Sequence, residues 1–181
     1  MKYFVTGATG FIGKRLVKKL LARKGSTVHF LIRESSLSKV PQLLEYWGTS
    51  KTRAIPVVGD LCLPGLGLSK TVVKELSSKI DHMFHLAAIY DLNADAQSQM
   101  QVNNEGTRNA VQFANLVKVG LFHHTSSIAA AGLFEGIWRE DMFEEAEGLD
   151  HPYFATKHES ESIARKECKV PLSIYRPGMV V

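Results

Sequence analysis

Residues Thr6-Gly7-Ala8-Thr9-Gly10-Phe11-Ile12-Gly13 follow a short apolar run at positions 3–5 and lead directly into an amphipathic helical pattern. A strand, a glycine-rich turn and a helix in this order form the unit that binds the pyrophosphate of a dinucleotide. Gly7 would let the chain turn sharply, Gly10 would let a phosphate approach the backbone, and Gly13 would let the helix pack closely on the sheet. The helix N-terminus would add free N–H groups and a partial positive charge. The stretch therefore predicts a dinucleotide site, although an ordinary glycine-rich turn has a similar local pattern.

The composition is typical of one globular domain. The chain has 181 residues, of which 45% are hydrophobic and 22% are charged, and these proportions exclude a disordered protein. We expect a single domain over residues 1–181. The two cysteines, Cys62 and Cys168, make no disulfide framework, so a reducing compartment is indicated and a cytoplasmic location is expected. No apolar run reaches the length of about 18 residues that a transmembrane helix needs, and the N-terminus lacks a signal-peptide pattern.

The basic residues are concentrated on the first predicted helix. Six of the 22 lysines and arginines lie between Lys14 and Lys24, while the net charge of the chain is only +4. The same helix carries an inward-facing apolar stripe of Leu16, Val17, Leu20 and Leu21. This amphipathic pattern favours a solvated helix face, so we predict no nucleic-acid partner.

Seven histidines are present, and four of them form two close pairs, His82/His85 and His123/His124. A structural zinc site needs four ligands, and neither pair is accompanied by a convincing third one. We therefore predict no metal site.

Strand-like and helix-like patterns alternate along the whole chain. Predicted strands cover residues 2–6, 27–32, 53–58, 80–87, 121–126 and 172–176. Predicted helices cover residues 11–24, 36–47, 69–79, 94–118 and 152–168, with Gly25 and Gly48 ending the first two and Gly106 as a point where the fourth could break. The alternation predicts right-handed βαβ units, and hence an α/β fold with a doubly wound parallel sheet, the Rossmann fold. Residues 132–150 look irregular, and so little chain follows the last strand that a substrate-binding lobe would be largely missing.

The end of the second predicted strand indicates which dinucleotide binds. An acidic residue at this point binds the ribose 2′-hydroxyl of NAD, whereas an arginine accommodates the 2′-phosphate of NADP. Arg33 directly follows the strand, so we predict NADPH. NAD is the alternative, because Glu34 could bind the ribose hydroxyls if the strand end shifts by one residue. Asp60-Leu61 after the third strand would lie near the adenine. Ala87-Ala88 after the fourth strand would leave room for the cofactor backbone.

A tyrosine and a lysine lie four residues apart at the start of the last predicted helix. Tyr153 and Lys157 would share one helix face, with Asp150 as the N-cap and Pro152 near the first helical position. A lysine ammonium stabilises a nearby phenolate, which makes a tyrosine usable as a proton donor at neutral pH. The fifth strand ends in Thr125-Ser126-Ser127, at the sheet edge where ligands bind. We predict Ser127 as the third catalytic residue, with Ser126 as its competitor for that role.

Together these motifs resemble the extended short-chain dehydrogenases/reductases. The resemblance spans residues 3–178 and rests on the glycine turn at residues 6–13, Asp60-Leu61, His85-Leu86-Ala87-Ala88, Val102-Asn103, Thr125-Ser126-Ser127, Tyr153 with Lys157, and Arg176-Pro177-Gly178. Within this superfamily, residues 59–69 resemble a segment of fatty acyl-CoA reductases and of the thioester-reductase domains of carboxylic acid reductases. Arg33 agrees with the NADPH use of those enzymes.

The resemblance implies an NADPH-dependent oxidoreductase that reduces a small-molecule substrate, a fatty acyl-CoA or other thioester or a fatty aldehyde. Tyr153 would donate the proton, Lys157 would hold the ribose hydroxyls, and Ser127 would steady the carbonyl oxygen. Pro177 would pass close to the nicotinamide amide, and Asn103 would tie the sheet to a helix. The cofactor-binding residues expected on this basis are Gly7, Thr9, Gly10, Phe11, Ile12, Gly13, Arg33, Asp60, Leu61, Ala87, Ala88, Tyr153, Lys157 and Pro177.

Other functions on the same fold stay open. Residues 125–132 also resemble a segment of 3β-hydroxysteroid dehydrogenases and of nucleotide-sugar epimerases and dehydratases. A non-enzymatic dinucleotide sensor is a third alternative, but it would have no need of Ser127, Tyr153 and Lys157 together. Extended members usually continue into a substrate lobe. We therefore expect residues 1–181 to be the N-terminal part of a longer protein, able to bind cofactor but poor at turnover alone.

Overall fold

A six-stranded sheet forms the centre of the molecule in the computed structural model, which describes residues 1–90 and 95–180. The strands are β1 (Lys2–Thr6), β2 (Thr27–Ile32), β3 (Ala54–Val58), β4 (His82–His85), β5 (Leu121–Thr125) and β6 (Leu172–Tyr175). They lie in the order β3-β2-β1-β4-β5-β6, with neighbouring strands parallel. The direction of the strand order reverses between β1 and β4, which is where ligands bind in doubly wound sheets. The predicted α/β Rossmann architecture is confirmed.

Helices connect the strands and cover the sheet. They are α1 (Phe11–Leu21), α2 (Val40–Trp47), α3 (Lys70–Leu76), α4 (Ala96–Gln99), α5 (Gly106–Val117) and α6 (Pro152–Glu167). Short 3-10 turns cover Glu34–Lys39, Pro64–Gly67 and Ile128–Ala131, and a π-helical turn, Met100–Glu105, joins α4 to α5.

The alternating side chains of the strands fill two apolar cores, one on each face of the sheet. Tyr3 and Val5 of β1 pack with Val17 of α1 in the core that α1 and α2 cover. Phe4 points to the opposite face and packs with Phe113 of α5, with ring centroids 4.9 Å apart. Burial on both faces explains why the central strand has an apolar run rather than an apolar–polar alternation.

Strand β4 is shorter than the predicted strand 80–87. Gly7 turns the chain away directly after Thr6, so β1 provides no further strand for residues 86 and 87 to pair with. The backbone N–H of Ala87 instead donates to the Thr6 hydroxyl at 3.3 Å. Ala87 is therefore held by the first residue of the glycine turn.

The predicted end of the first helix was wrong by three residues. Helix α1 ends at Leu21, and Gly25 lies in the following turn with φ +70. The Ser26 hydroxyl donates to the carbonyls of Leu20 and Arg23, each at 2.8 Å, and so closes the helix before Gly25. Gly48, by contrast, ends α2 in the left-handed conformation that favours glycine, as predicted.

The predicted helix 36–47 also begins differently, because α2 starts only at Val40 and the 3-10 turn Glu34–Lys39 precedes it. Serines in that turn compete with helical hydrogen bonds, and Pro41 is tolerated in the first turn of a helix. The predicted helix 69–79 is the shorter α3, whose first turn is capped by the Ser69 side chain, which accepts from the Val72 N–H at 3.3 Å.

The predicted helix 94–118 runs from Ala96 to Val117 without a break at Gly106, and residue 94 lies outside the described part of the chain. The irregularity comes earlier, as the π-helical turn Met100–Glu105. Gly106 is itself helical, with φ −60 and ψ −41. A Cβ on Gly106 would lie 2.8 Å from the Leu61 side chain, so the glycine allows α5 to pack closely against the loop after β3.

Candidate active site

The glycine turn between β1 and α1 is packed tightly against the end of β4. Gly7 has φ +72, and a Cβ on it would lie only 2.6 Å from the Ala87 nitrogen. A Cβ on Gly13 would lie 2.1 Å from the Gly7 carbonyl oxygen. The close approach that Gly13 permits is therefore between the start of α1 and the turn itself.

Gly10 leaves the N-terminus of α1 open. It is the N-cap residue, and no side chain of the described residues caps the helix there. A Cβ on Gly10 would meet only the Gly7 oxygen, at 3.3 Å, within 4 Å of its position. Thr9, Phe11 and Ile12 beside it are exposed. Free N–H groups, a helix dipole and an unobstructed backbone fit the pyrophosphate of a dinucleotide.

A buried hydrogen-bond chain that the sequence did not reveal holds the glycine turn in place. Nδ1 of His85 lies 2.8 Å from the Thr6 hydroxyl, and its Nε2 lies 3.0 Å from the Thr107 hydroxyl of α5. Desolvation, with a smaller contribution from the charge of Lys157, lowers the pKa of His85 to about 3. The ring is therefore neutral at physiological pH and serves to connect β1, β4 and α5.

The predicted adenosine-side residues lie at the ends of the adjacent strands β2 and β3. Arg33 is exposed directly after β2, and the described residues provide no salt-bridge partner for it. An Asp60 carboxylate oxygen accepts from the Cys62 N–H at 2.9 Å. The Leu61 side chain is buried in the core, and its carbonyl accepts from Asn109 at 2.9 Å. Any contact of Leu61 with a cofactor would therefore come from its main chain.

Helix α6 carries Tyr153 in its first turn and Lys157 one turn later. Pro152 occupies the first turn, as predicted, but the predicted N-cap was wrong. The cap is His151, whose Nδ1 accepts from the Tyr153 N–H at 3.1 Å. Asp150 lies one residue before this cap and is exposed. The N-cap thus directly fixes the backbone of the tyrosine.

Lys157 is buried and connects α6 to the end of β5. The residue is only 4% exposed, and its Nζ donates to the Thr125 carbonyl at 3.2 Å. Burial lowers the pKa of Lys157 to about 8, and the charge of Glu161 partly opposes this change. A lysine that is buried and bonded to a strand end does not belong to a solvated helix face.

The two candidate serines have different environments. Ser126 is buried, and its hydroxyl donates to the Glu161 carboxylate at 2.6 Å. Ser127 is partly exposed, and its oxygen accepts from the Ala129 N–H at 3.1 Å, at the start of the 3-10 turn. Because that bond uses only an acceptor site, the Ser127 hydroxyl keeps its donor for another group. The hydroxyl of the competitor Ser126 is thus engaged by Glu161, whereas Ser127 remains accessible.

Asn103 lies in the π-helical turn and ties together three parts of the chain. Its Oδ1 accepts from the Ile89 N–H at 2.8 Å, and its Nδ2 donates to the Ile89 carbonyl at 3.0 Å. Nδ2 also lies 3.2 Å from the Thr156 hydroxyl of α6. The geometry matches the expected role of Asn103 in joining the region after β4 to a helix.

The remaining predicted residues lie beside this site. Ala87 and Ala88 are half-buried after β4, at the edge that faces the glycine turn. Pro177 follows β6, and its carbonyl accepts from the Ile128 N–H at 3.1 Å, which places it against the turn that begins at Ser127. The ends of β1, β4, β5 and β6 therefore bring the glycine turn, Ser127, Lys157 and Pro177 to one edge of the sheet.

Two further observations concern the described ranges, 1–90 and 95–180. Within them, no three or more histidine, cysteine, aspartate or glutamate side chains are grouped so that they could hold a metal ion. Within the same ranges, no helix has the length and apolar character required to cross a membrane.

Two known proteins illustrate what the sequence is similar to. A subunit of the linear gramicidin synthase from Brevibacillus parabrevis is 31% identical over 189 residues, which cover 96% of this chain and 4% of that protein. Fatty acyl-CoA reductase 2, chloroplastic, from Arabidopsis thaliana is 26% identical over 199 residues, which cover 98% of this chain and 32% of that protein. The chain therefore spans much less than half of either relative.

Solved structures share the fold. The terminal R domain of the myxalamid PKS-NRPS biosynthetic pathway superposes with a TM-score of 0.85 at 27% identity, over 99% of this chain and 49% of the solved chain. UDP-glucuronic acid 4-epimerase from Bacillus cereus, solved in complex with NAD, superposes with a TM-score of 0.75 at 25% identity, over 99% of this chain and 57% of the solved chain.

The family model described as Male sterility protein matches residues 5–181. The match includes the glycine turn, the Tyr153–Lys157 pair and the end of β6. The resemblance to extended short-chain dehydrogenases/reductases of the fatty acyl-CoA reductase and thioester reductase type is thereby confirmed. The chain belongs to the male sterility protein family of NAD(P)-binding proteins.

Proposed function

We propose that this chain is the cofactor-binding domain of an NADPH-dependent oxidoreductase that reduces a fatty acyl thioester, such as an acyl-CoA, or a fatty aldehyde. The observation that carries the proposal is Lys157, a buried lysine one helical turn from Tyr153 and bonded to the last residue of β5. The name of one relative, a fatty acyl-CoA reductase, supports the substrate class.

The cofactor-binding residues follow the sheet edge. Gly7, Gly10 and Gly13, with Thr9, Phe11 and Ile12, would hold the pyrophosphate at the start of α1. Arg33 would bind the 2′-phosphate, since its guanidinium is exposed and lacks an ion-pair partner among the described residues. Asp60 and the Leu61 main chain would lie at the adenine. Residues 87–88 and Pro177 would lie along the cofactor towards the catalytic side.

The chain's own residues supply proton transfer and orientation. A bound NADPH supplies the hydride. Tyr153 donates its phenolic proton to the oxygen of the reduced carbonyl, and the Lys157 ammonium stabilises the phenolate that remains. With a thioester, the hemithioacetal formed in this way then breaks its C–S bond, which releases the thiol and leaves the aldehyde. Lys157 also holds the ribose hydroxyls. Ser127 donates a hydrogen bond to the carbonyl oxygen and so stabilises the negative charge that develops there.

An epimerase or a 3β-hydroxysteroid dehydrogenase-like enzyme is the second candidate. The match to UDP-glucuronic acid 4-epimerase at a TM-score of 0.75 supports it, since both enzyme types would use the same Tyr–Lys arrangement. The direct test uses the full-length protein and four substrates: NADPH absorbance follows a long-chain acyl-CoA, a fatty aldehyde and a sterol ketone, and chromatography of the products follows a nucleotide sugar. We expect oxidation of NADPH with the acyl-CoA or the aldehyde. Turnover restricted to the sterol or the sugar would refute the proposed substrate class.

Tyr153→Phe tests the proposed proton donor. We expect the variant to lose at least about a hundredfold in kcat, because general acid catalysis contributes on the order of 10²–10⁴, while NADPH binding measured by fluorescence stays close to wild type. Tyr46→Phe is the matched control: this exposed ring lies under Lys14 and Lys18, away from the site, and the variant should keep full activity. Unchanged kcat in Tyr153→Phe would contradict the assignment.

A further inference from the structure

A buried carboxylate lies one helical turn beyond Lys157. Glu161 of α6 has a side chain that is 0% exposed. Its carboxylate accepts from the Ser126 hydroxyl at 2.6 Å, from Arg165 Nε at 2.9 Å and from Arg176 Nη2 at 2.6 Å. A charge buried this completely is tolerated only when it is paired and hydrogen-bonded, as Glu161 is.

Arg176 extends the network to the irregular segment at residues 132–150. Its Nη1 donates to the Arg139 carbonyl at 3.0 Å, and its Nη2 donates to the Met142 carbonyl at 2.7 Å. The Arg176 guanidinium also lies 5.3 Å from the ring centroid of Trp138. Glu161 therefore connects the end of β5, helix α6, the end of β6 and, through Arg176, the segment that passes beside them.

The titratable groups that face Lys157 come from three elements. On α6 it is Glu161, on β4 it is His85, and on β5 it is His124. Burial lowers the pKa of both histidines far below neutrality, so neither is charged at physiological pH. Glu161 is thus the nearby negative charge that acts on the lysine, and it raises the pKa of Lys157 against the effect of burial.

We propose that Glu161 is a positioning residue for Lys157: clamped by Ser126, Arg165 and Arg176, its charge keeps the lysine ammonium protonated beside Tyr153 and fixes α6 against the end of β5. The inference rests on the proposed role of the Tyr153–Lys157 pair. The lysine needs such a partner because, among the described residues, its Nζ donates only to a neutral carbonyl oxygen, that of Thr125. Without the carboxylate, burial alone would favour the neutral amine.

Glu161 and its arginine partners shift the titration of Lys157 in opposite directions. Reduction needs the Lys157 ammonium, so its deprotonation sets the alkaline limb of the pH profile, the loss of rate at high pH. Removing a nearby negative charge makes that deprotonation easier and moves the limb to lower pH. Removing Arg165, which pairs with Glu161 at 2.9 Å, leaves the Glu161 charge less neutralised and so moves the limb to higher pH.

The experiment compares three variants of the full-length protein by the pH dependence of kcat for NADPH oxidation and by the pH dependence of NADPH affinity. In Glu161→Gln we expect the alkaline limb of kcat and that of NADPH affinity each to move to lower pH by about one unit. In Arg165→Gln, whose parent side chain is 34% exposed, we expect a smaller shift in the opposite direction. Arg108→Gln removes the same charge at a pair formed with Glu105 and Glu167, and its limbs should match wild type.

The outcomes separate this inference from the proposed function. Wild-type protein that oxidises NADPH with none of the four substrates would refute the proposed function. The pH dependence of NADPH affinity in Glu161→Gln would still test the role of Glu161. A folded Glu161→Gln variant that is slower by the same factor at every pH, with unmoved limbs, would overturn the inference and leave Glu161 a purely structural residue. Should Glu161→Gln fail to fold, an unmoved limb in Arg165→Gln overturns the inference instead.

Discussion

We propose that Arg33 is the residue that selects NADPH over NADH. It is exposed directly after β2, where its guanidinium can bind a 2′-phosphate through two parallel hydrogen bonds. We expect Arg33→Asp to weaken NADPH binding about tenfold or more, because a carboxylate repels the phosphate while leaving an unphosphorylated ribose bindable. Fluorescence titration with both cofactors measures the effect. Lys39→Asp, an exposed charge reversal in the adjoining turn, is the control, and an equal loss of NADPH and NADH in Arg33→Asp would contradict the assignment.

Burial of Lys157 lowers the stability of the folded protein near neutral pH. Its folded pKa of about 8 lies below the ordinary value of 10.5. A lowered lysine pKa contributes stability that is fully present above pH 10.5 and is lost as the pH falls through 8. Each pKa unit corresponds to about 1.4 kcal/mol, so the cost at neutral pH is at most about 3 kcal/mol.

Lys157→Met should therefore be more stable than wild type near neutral pH, and this advantage should shrink as the pH rises from 8 to 10.5. The free energy of unfolding in urea, measured for both proteins at several pH values, checks the expectation. Comparison with wild type cancels the titration of all other groups. A difference that stays constant across this range would show that the lysine is not destabilised by burial.

The β1–α1 element depends on close approach at its two outer glycines. A Cβ on Gly13 would lie 2.1 Å from the Gly7 oxygen, a backbone atom that cannot move without opening the turn. Gly13→Ala should destabilise the protein by about 1–3 kcal/mol or more, as overpacking does, despite the higher helix propensity of alanine, and it should also weaken NADPH binding. Thermal unfolding and cofactor titration measure the two effects.

Gly48→Ala provides the matched control for this element. Gly48 also has a special conformation, with φ +61, but a Cβ there would have nothing within 4 Å. We expect a loss of about 1 kcal/mol from the left-handed conformation alone and no change in NADPH affinity. If Gly13→Ala behaved like Gly48→Ala in both measurements, tight packing at the turn would not be what Gly13 provides.

At the scale of the whole molecule, neutral histidines in the centre of the sheet make the fold sensitive to acid. Burial lowers the pKa of His85 to about 3 and that of His123 to about 4, and lowers that of His124 well below its ordinary value of 6.5. Such groups contribute stability that is present above pH 6.5 and is lost as the pH falls, because the unfolded chain binds the protons. The free energy of unfolding should therefore fall steadily from pH 7 towards pH 4.

His124→Leu isolates one part of this effect. Both ring nitrogens of His124 are buried without a hydrogen-bond partner among the described residues, so an apolar side chain of similar size should be tolerated. We expect the variant to match or exceed wild type at pH 7, with an advantage that grows at pH 5. Urea unfolding at both values measures it. A loss of several kcal/mol at pH 7 would show that the ring has an essential partner.

Local patterns predicted the elements well where neighbours in sequence decide the structure. The glycine turn, Gly48 and the Tyr153–Lys157 spacing each depend on residues within one or two turns of chain. The prediction was less accurate where a distant segment intervenes: β4 ends early because β1 turns away at Gly7, and α1 ends early because of the Ser26 hydroxyl. Glu161 could have been found, since it continues the four-residue spacing of Tyr153 and Lys157.

The parallel α/β fold, the glycine turn and the family could be read from the sequence alone, because these depend on hydrophobic periodicity, on glycines without a Cβ and on fixed helical spacing. The tertiary structure was needed to show that Ser127 rather than Ser126 is accessible, since Ser126 is bonded to a carboxylate 35 residues away. It likewise decided that the Leu61 side chain belongs to the core and that His85 is neutral. Burial and the choice of hydrogen-bond partners depend on which distant segments meet, and no local pattern contains that information.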